Sequence, residues 1–353
     1  MKKPKKTTNT HTGRLMFIYV FLLLLTACKS RPTVTMHQQT EPIQPNLPST
    51  SIQNYQDSTD LSQEIPAFGK LHSYCEWITD EMILPLQTNY GSTPTMQVKI
   101  HDKTYRFLLD TGAGLSVISS SLAEQLAIHP IDSNRLSAFT ATGSVQTSPA
   151  VIPELKAGPV IFYNQPALII DSAQLEFRLF EIITLYKIDG ILGWPILAGM
   201  DIEIDKRNKK LTIRKPTGRT VSESNLFQIN GIPTAVFHDA TGNELLFNLD
   251  TGANHSLLRP DFLKVYPDMS FTSNKKHLWG VGGYQAMETK EIKSFTIYSY
   301  ATHIEFRNIQ LVPEAGGSCN DRIKIIGTLG SNILKTAVVR IDGFNRRLDF
   351  FPY

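Results

Sequence analysis

Cysteine is scarce in this chain: Cys28, Cys75 and Cys319 are the only three in 353 residues. So few, so widely spaced, exclude a disulfide-built scaffold and carry no metal-ligand spacing. Gly-x-Ser-x-Gly, His-Glu-x-x-His and Gly-x-x-x-x-Gly-Lys are all missing. Their absence removes the serine nucleophile elbow, the helical zinc site and the phosphate-cradling loop from consideration. No metal and no cofactor is expected. Net positive charge is illusory: the formal +3 includes Lys2, Lys3, Lys5, Lys6 and Arg14 near the start, and +3 less these five leaves −2. A chain near neutrality has no electrostatic reason to seek nucleic acid. The one dense basic run, Lys206 to Lys210, reads as a solvated hairpin tip.

What is present at the start is a basic stretch, an apolar run from Leu15 to Leu25, and then Thr26-Ala27-Cys28. The run has eleven residues, short of the roughly 20 needed to cross a bilayer core about 30 Å thick. It reads as a secretory signal peptide, residues 1–27. Leu25-Thr26-Ala27-Cys28 resembles the bacterial lipobox, which implies lipidation of Cys28. The expected location is therefore outside the cytoplasm on a membrane, at the periplasmic face or the outer membrane. Acyl chains on that cysteine would anchor firmly, at about 0.8 kcal/mol per buried methylene. Residues 28–66 are rich in Pro, Gln, Ser and Thr, cannot bury a core, and are expected to form a flexible tether. An exported compartment permits a Cys75–Cys319 disulfide, but their positions do not specify one.

Beyond residue 90 the chain repeats itself. Asp110-Thr111-Gly112-Ala113 recurs as Asp250-Thr251-Gly252-Ala253, 140 positions on. Gly190-Ile191-Leu192-Gly193 recurs as Gly327-Thr328-Leu329-Gly330, and Ile204-Asp205 through Leu211 as Ile341-Asp342 through Leu348, both offset by 137. Two long copies mean a duplicated lobe rather than a solenoid. Each copy is β-rich. Met96 to Ile100 and Tyr105 to Leu109 predict a hairpin that delivers Asp110 at a strand end; Thr234 to Phe237 and Leu245 to Leu249 do the same for Asp250. Short helices are expected over Ser120–Leu126 and Pro260–Val265. Turns are expected at Asn208-Lys209 and Asn345-Arg346. Trp194-Pro195 is expected in the core, and His255 is read as a packing or surface residue.

One Asp-Thr-Gly is a weak signal, because aspartate and glycine are common in turns. Two, each after an apolar strand and each followed by a Gly-x-Leu-Gly, point to chemistry. Two carboxylates about 3 Å apart cannot both ionise and so share one proton. The ionised member can take a proton from water while the protonated one hydrogen-bonds a carbonyl oxygen. Glycine at Gly112 and Gly252 lets the turns approach, and Thr111 and Thr251 offer hydroxyls to tie them together.

On these motifs residues 90 to 353 resemble the retropepsin-like and pepsin-like aspartic proteases, especially bacterial two-repeat members. The resemblance implies an all-β, bilobal, pseudo-twofold acid-protease barrel with two retropepsin-like lobes in one chain, at 67–217 and 218–353. It implies catalytic roles for Asp110 and Asp250 and bracing roles for Thr111 and Thr251. It also implies β-hairpin flaps around Ala141-Thr142-Gly143-Ser144 and Gly280-Val281-Gly282-Gly283-Tyr284, with Gly143, Ser144, Gly282, Gly283 and Tyr284 against substrate. The first flap has no tyrosine. The expected function is an aspartic endopeptidase, monomeric, acting on peptide or protein. The alternatives are a non-catalytic peptide-binding lipoprotein and an enzyme whose lobes pair between chains.

Overall fold

The computed structural model of the chain describes residues 19–20, 24–26, 32–39, 68–69, 71–88, 92–132, 135–140, 143–179, 183–218, 224–281, 283–300, 302–313 and 323–353. Cys28, Gly282, Cys319 and most of 28–66 lie outside the described residues. The fold is all-β, with two large sheets of the same design and a third that joins them.

The two large sheets follow the same strand order. In the first sheet the order is Pro94–Ile100, Lys103–Leu109, Gly190–Leu192, Ser116–Ser119, Val160–Ile170, Gly143–Ala157, Leu136–Thr140. The second runs Ile232–His238, Glu244–Asp250, Ile325–Gly330, Leu257–Leu258, Thr302–Leu311, Gly283–Tyr298, Thr272–Gly280. Both expected hairpins form. The first alternates as a half-buried strand should, with Met96, Val98 and Ile100 inside and Gln97 and Lys99 outside. The strand carrying each aspartate is then clasped in parallel by the Gly-x-Leu-Gly strand, Ile191 beside Leu108 and Leu329 beside Leu249.

The third sheet crosses between the lobes. It orders Arg347–Pro352, Ala337–Asp342, Asp201–Asp205, Lys210–Arg214 and Glu81–Pro85, so the C-terminal hairpin of each copy lies beside the other. Arg340 donates two hydrogen bonds to Asp201 across that seam, at 2.9 and 2.6 Å, the bidentate geometry in which Arg–carboxylate pairs are strongest. The hairpin tips match in detail. Lys209 and Arg346 both take positive φ, at 53° and 56°. Asn208 donates its side-chain amide to Asp205, and Asn345 to Asp342, each at 2.7 Å. The expected Asn turns are thus Asx-braced in both copies.

The helices fall close to expectation. Ser120–Gln125 is capped by the Ser119 hydroxyl, which accepts from the Leu122 amide at 3.1 Å. The second helix begins at Asp261, with Pro260 as its cap. Trp194 is buried as predicted and donates its indole N–H to Gln228, whereas Pro195, expected in the core with it, is exposed at the start of the short helix Trp194–Leu197.

Two expectations need correction. Thr33–Gln38, inside the supposed tether, is a strand along Thr302–Arg307 with Met36 buried. Two alternating apolar residues, Val34 and Met36, are enough because a ready-made sheet edge supplies the rest. The segment around Cys75 and Trp77 is likewise an edge strand, Tyr74–Trp77, paired with Val160–Tyr163. The basic hairpin tip is not wholly solvated, because Lys206 turns inward to donate to the Ser92 hydroxyl at 2.9 Å. Among the described residues no helix is long and apolar enough to cross a membrane.

Candidate active site

The two Asp-Thr-Gly turns meet at the junction of the lobes, where symmetry-related strands end. Asp110 and Asp250 are buried, at 0% and 1% exposure, and Thr111 and Thr251 with them. The threonines lock the turns reciprocally. The Thr111 hydroxyl donates to the Leu249 carbonyl at 2.7 Å and accepts from the Thr251 amide at 3.0 Å. The Thr251 hydroxyl donates to the Leu109 carbonyl at 2.6 Å and accepts from the Thr111 amide at 3.1 Å. Each hydroxyl therefore satisfies a buried carbonyl and a buried amide that no strand ladder reaches.

The glycines are required by space. A methyl group on Gly112 would sit 2.6 Å from the Asp250 carboxyl carbon, and one on Gly252 would collide with Asp110 in the same way. Each turn therefore packs its glycine against the opposite aspartate, which brings the carboxyls together. Backbone amides fix their orientation. Gly112 N–H donates to Asp110 Oδ1 and Ala253 N–H to Asp250 Oδ1, both at 2.9 Å. Oδ2 of each aspartate is buried and receives no donor from the other described residues.

Behind the turns stands a second layer of ties. Ser116 Oγ accepts from the Gly193 amide at 3.1 Å, and Ser256 Oγ from the Gly330 amide at 3.0 Å. Trp194 N–H reaches the Ala113 carbonyl at 2.8 Å, and Ser331 N–H the Ala253 carbonyl at 2.7 Å. In the second lobe only, Asn332 Oδ1 accepts from both the amide and the hydroxyl of Ser256, each at 2.8 Å. Ser116 and Ser256 keep the 140-residue offset, so they could have been found in the sequence. Asn332 has no counterpart, since Pro195 occupies its place.

Burial dominates the electrostatics. It pushes Asp110 up to about 7, against the pull of the amides that bond its ionised form. Asp250 is raised well above the usual carboxylate range, first by burial and then by the charge of Asp110. Two groups this strongly coupled titrate as a pair. One holds a proton where the other is ionised, the state in which one carboxyl can donate and the other accept.

Both flaps are hairpins. In the first, Phe139 pairs with Ser144 and Thr140 with Gly143; in the second, Trp279 pairs with Tyr284 and Gly280 with Gly283. Gly143 adopts φ of 136°, a conformation that favours glycine, and Gly143 and Ser144 are exposed. Val281, at the second flap's tip, is 1% exposed and packs among Ala113, Leu108, Ile191 and Ala138 of the first lobe. The second flap thus reaches across the cleft, a contact that no local pattern announces. Among the described residues no group of three or more His, Cys, Asp or Glu side chains could hold a metal ion.

Comparison with known proteins agrees with this geometry. Residues 96–196 match a family model described as aspartyl protease. The match starts in the first hairpin, contains Asp110-Thr111-Gly112 and ends in the helix at Trp194–Leu197. It supports a protease-type function for the first lobe. No curated protein matches the chain.

Proposed function

We propose that the chain is an aspartic endopeptidase whose dyad is Asp110 and Asp250, one from each lobe of a single polypeptide. The observation that carries this reading is the pair of buried carboxyls brought together by Gly112 and Gly252 and held by reciprocal threonine bonds. A binding module has no need of two desolvated acids. Removing both from water costs several kcal/mol, a cost that chemistry would explain.

In the proposed reaction a water lies between the carboxyls. The ionised aspartate takes its proton as the water oxygen bonds to the scissile carbonyl carbon, and the protonated aspartate gives its proton to the carbonyl oxygen. The tetrahedral diol then collapses. The C–N bond breaks as the nitrogen takes the proton first drawn from water. One diol hydroxyl gives its proton back to the other aspartate as the product carboxyl forms, and the pair is left with one shared proton. The substrate would lie extended, adding a strand to the flaps. The chain's own leader supports that mode. Tyr19–Val20 runs parallel to Phe139–Thr140 of the first flap, and Leu24–Thr26 antiparallel to His277–Trp279 of the second. One extended segment meeting symmetry-related flaps must be parallel to one and antiparallel to the other.

We also infer that the protein works as a monomer, outside the cytoplasm, anchored through Cys28. The single-chain dyad supports the first point; the leader and its lipobox-like end support the second. The test is a digest of peptide libraries by protein beginning at Lys29. Cleavage should be lost, by about 10⁴-fold, in both Asp110→Asn and Asp250→Asn, the scale of losing an acid–base group. Cleavage by either variant at the wild-type rate would sink the mechanism. Sedimentation of the active species should give the mass of one chain.

A further inference from the structure

The strand at Thr33–Gln38 changes what the anchor can do. It lies antiparallel on Thr302–Arg307 in continuous register, from Gln38 opposite Thr302 to Thr33 opposite Arg307. Met36 is 6% exposed within the hydrophobic core, and Val34 packs against the same core. The His37 ring stacks on His303 with centroids 4.8 Å apart. The first lobe has a matching device. Tyr74–Trp77 closes the corresponding edge on Val160–Tyr163, with Trp77 against the core and Tyr74 stacked on Tyr163 at 4.7 Å. The N-terminal region therefore supplies one edge strand to each lobe, and the one nearer Cys28 goes to the second lobe.

Only Lys29, Ser30, Arg31 and Pro32 separate Cys28 from that strand. Five Cα steps span at most roughly 18 Å, whereas a free tether over residues 28–66 could reach about 130 Å. At the end from which the chain leaves the lobe, Thr33 faces Arg307, which is paired with Glu305 at 2.8 Å. The uncompensated positive charge there comes from exposed Lys293 on the neighbouring strand and, in the spacer sequence, from Lys29 and Arg31. Basic groups next to a bilayer suit anionic headgroups. We propose that Thr33–Gln38 is a docking strap that holds the second lobe against an anionic membrane surface, so that the cleft serves substrates close to the bilayer. This rests on lipidation of Cys28 but not on the catalytic reading.

The test uses the lipidated full chain on vesicles of phosphatidylethanolamine and phosphatidylglycerol carrying an acceptor dye. A donor goes on the second lobe at the exposed, uncharged Ser294→Cys, in a Cys75→Ser, Cys319→Ser background. Energy transfer should be high, and should drop severalfold when twelve Gly/Ser residues are inserted between Pro32 and Thr33, which leaves the strap seated. In Met36→Asp, deuterium uptake should rise at 302–307 while 244–250 stays protected, and transfer should fall. Transfer unchanged by the insertion, or unchanged exchange at 302–307, would overturn the strap. Failure of the wild-type chain to float with vesicles would instead refute the anchor, and failure to cut soluble peptide would refute only the protease reading.

Discussion

The two lobes carry the same backbone frame around different side chains. In the first, the turn continues into Gly114-Leu115 and the Gly strand into Trp194-Pro195; in the second, the same places hold Asn254-His255 and Ser331-Asn332. Yet the amide-to-carbonyl bonds Trp194–Ala113 and Ser331–Ala253, and the amide-to-serine bonds Gly193–Ser116 and Gly330–Ser256, agree within 0.1 Å. The symmetric part is what places two carboxyls face to face. The asymmetric part shows that either an apolar plug or a polar clamp can support a turn, provided that its buried groups find partners.

The glycines should break that frame most severely. Gly112→Ala or Gly252→Ala puts a methyl onto the opposite carboxyl. Each should lower kcat by about 10³-fold or more, since a 1 Å misplacement alone can cost about 10². Steady-state peptide hydrolysis checks this, and the two losses should be similar. A loss confined to one glycine would mean that the turns are not equivalent.

The dyad also sets a pH dependence. A carboxyl whose folded value lies above its unfolded one adds stability at low pH and loses it as pH rises. The window opens at 3.8, the ordinary value, and runs through about 7 for Asp110, with Asp250 also raised well above the ordinary value. Urea-unfolding free energy should therefore fall across that interval, at up to about 1.4 kcal/mol per pH unit for each proton. Asp250→Asn should flatten the slope.

The threonines sharpen the comparison. Thr111→Val and Thr251→Val each strand one buried amide and one buried carbonyl, and each should cost about 2 kcal/mol in urea unfolding, while Ser at either place restores most of it. The smallest contrast lies in the second layer. Asn332→Ala leaves the Ser256 amide without its acceptor and should cost about 1–2 kcal/mol, whereas Pro195→Ala at the matching place should cost less than about 1 kcal/mol.

Much of this was legible before the fold. The facing Asp-Thr-Gly turns, the hairpins that lead into them and the Asx-braced tips follow from short local patterns repeated at a nearly constant offset. The docked strand at Thr33–Gln38 was not legible. Its two apolar residues sit in a Pro- and Thr-rich stretch, and its partner edge lies near residue 305. Val281 was hidden for the same reason, because its burial depends on the opposite lobe. Lys206 reads as solvent-facing until Ser92 is brought beneath it. Local patterns thus marked the two turns that the fold brings together, while contacts between distant segments escaped them.

The central claim, that Asp110 and Asp250 behave as one proton-sharing pair, is tested most directly by carbon-13 NMR titration of aspartate carboxyls. Two dyad steps should appear far apart, one displaced well above the ordinary carboxylate range, and Asp110→Asn should collapse them to a single step at Asp250. Two independent steps near pH 4, unaffected by the substitution, would contradict it.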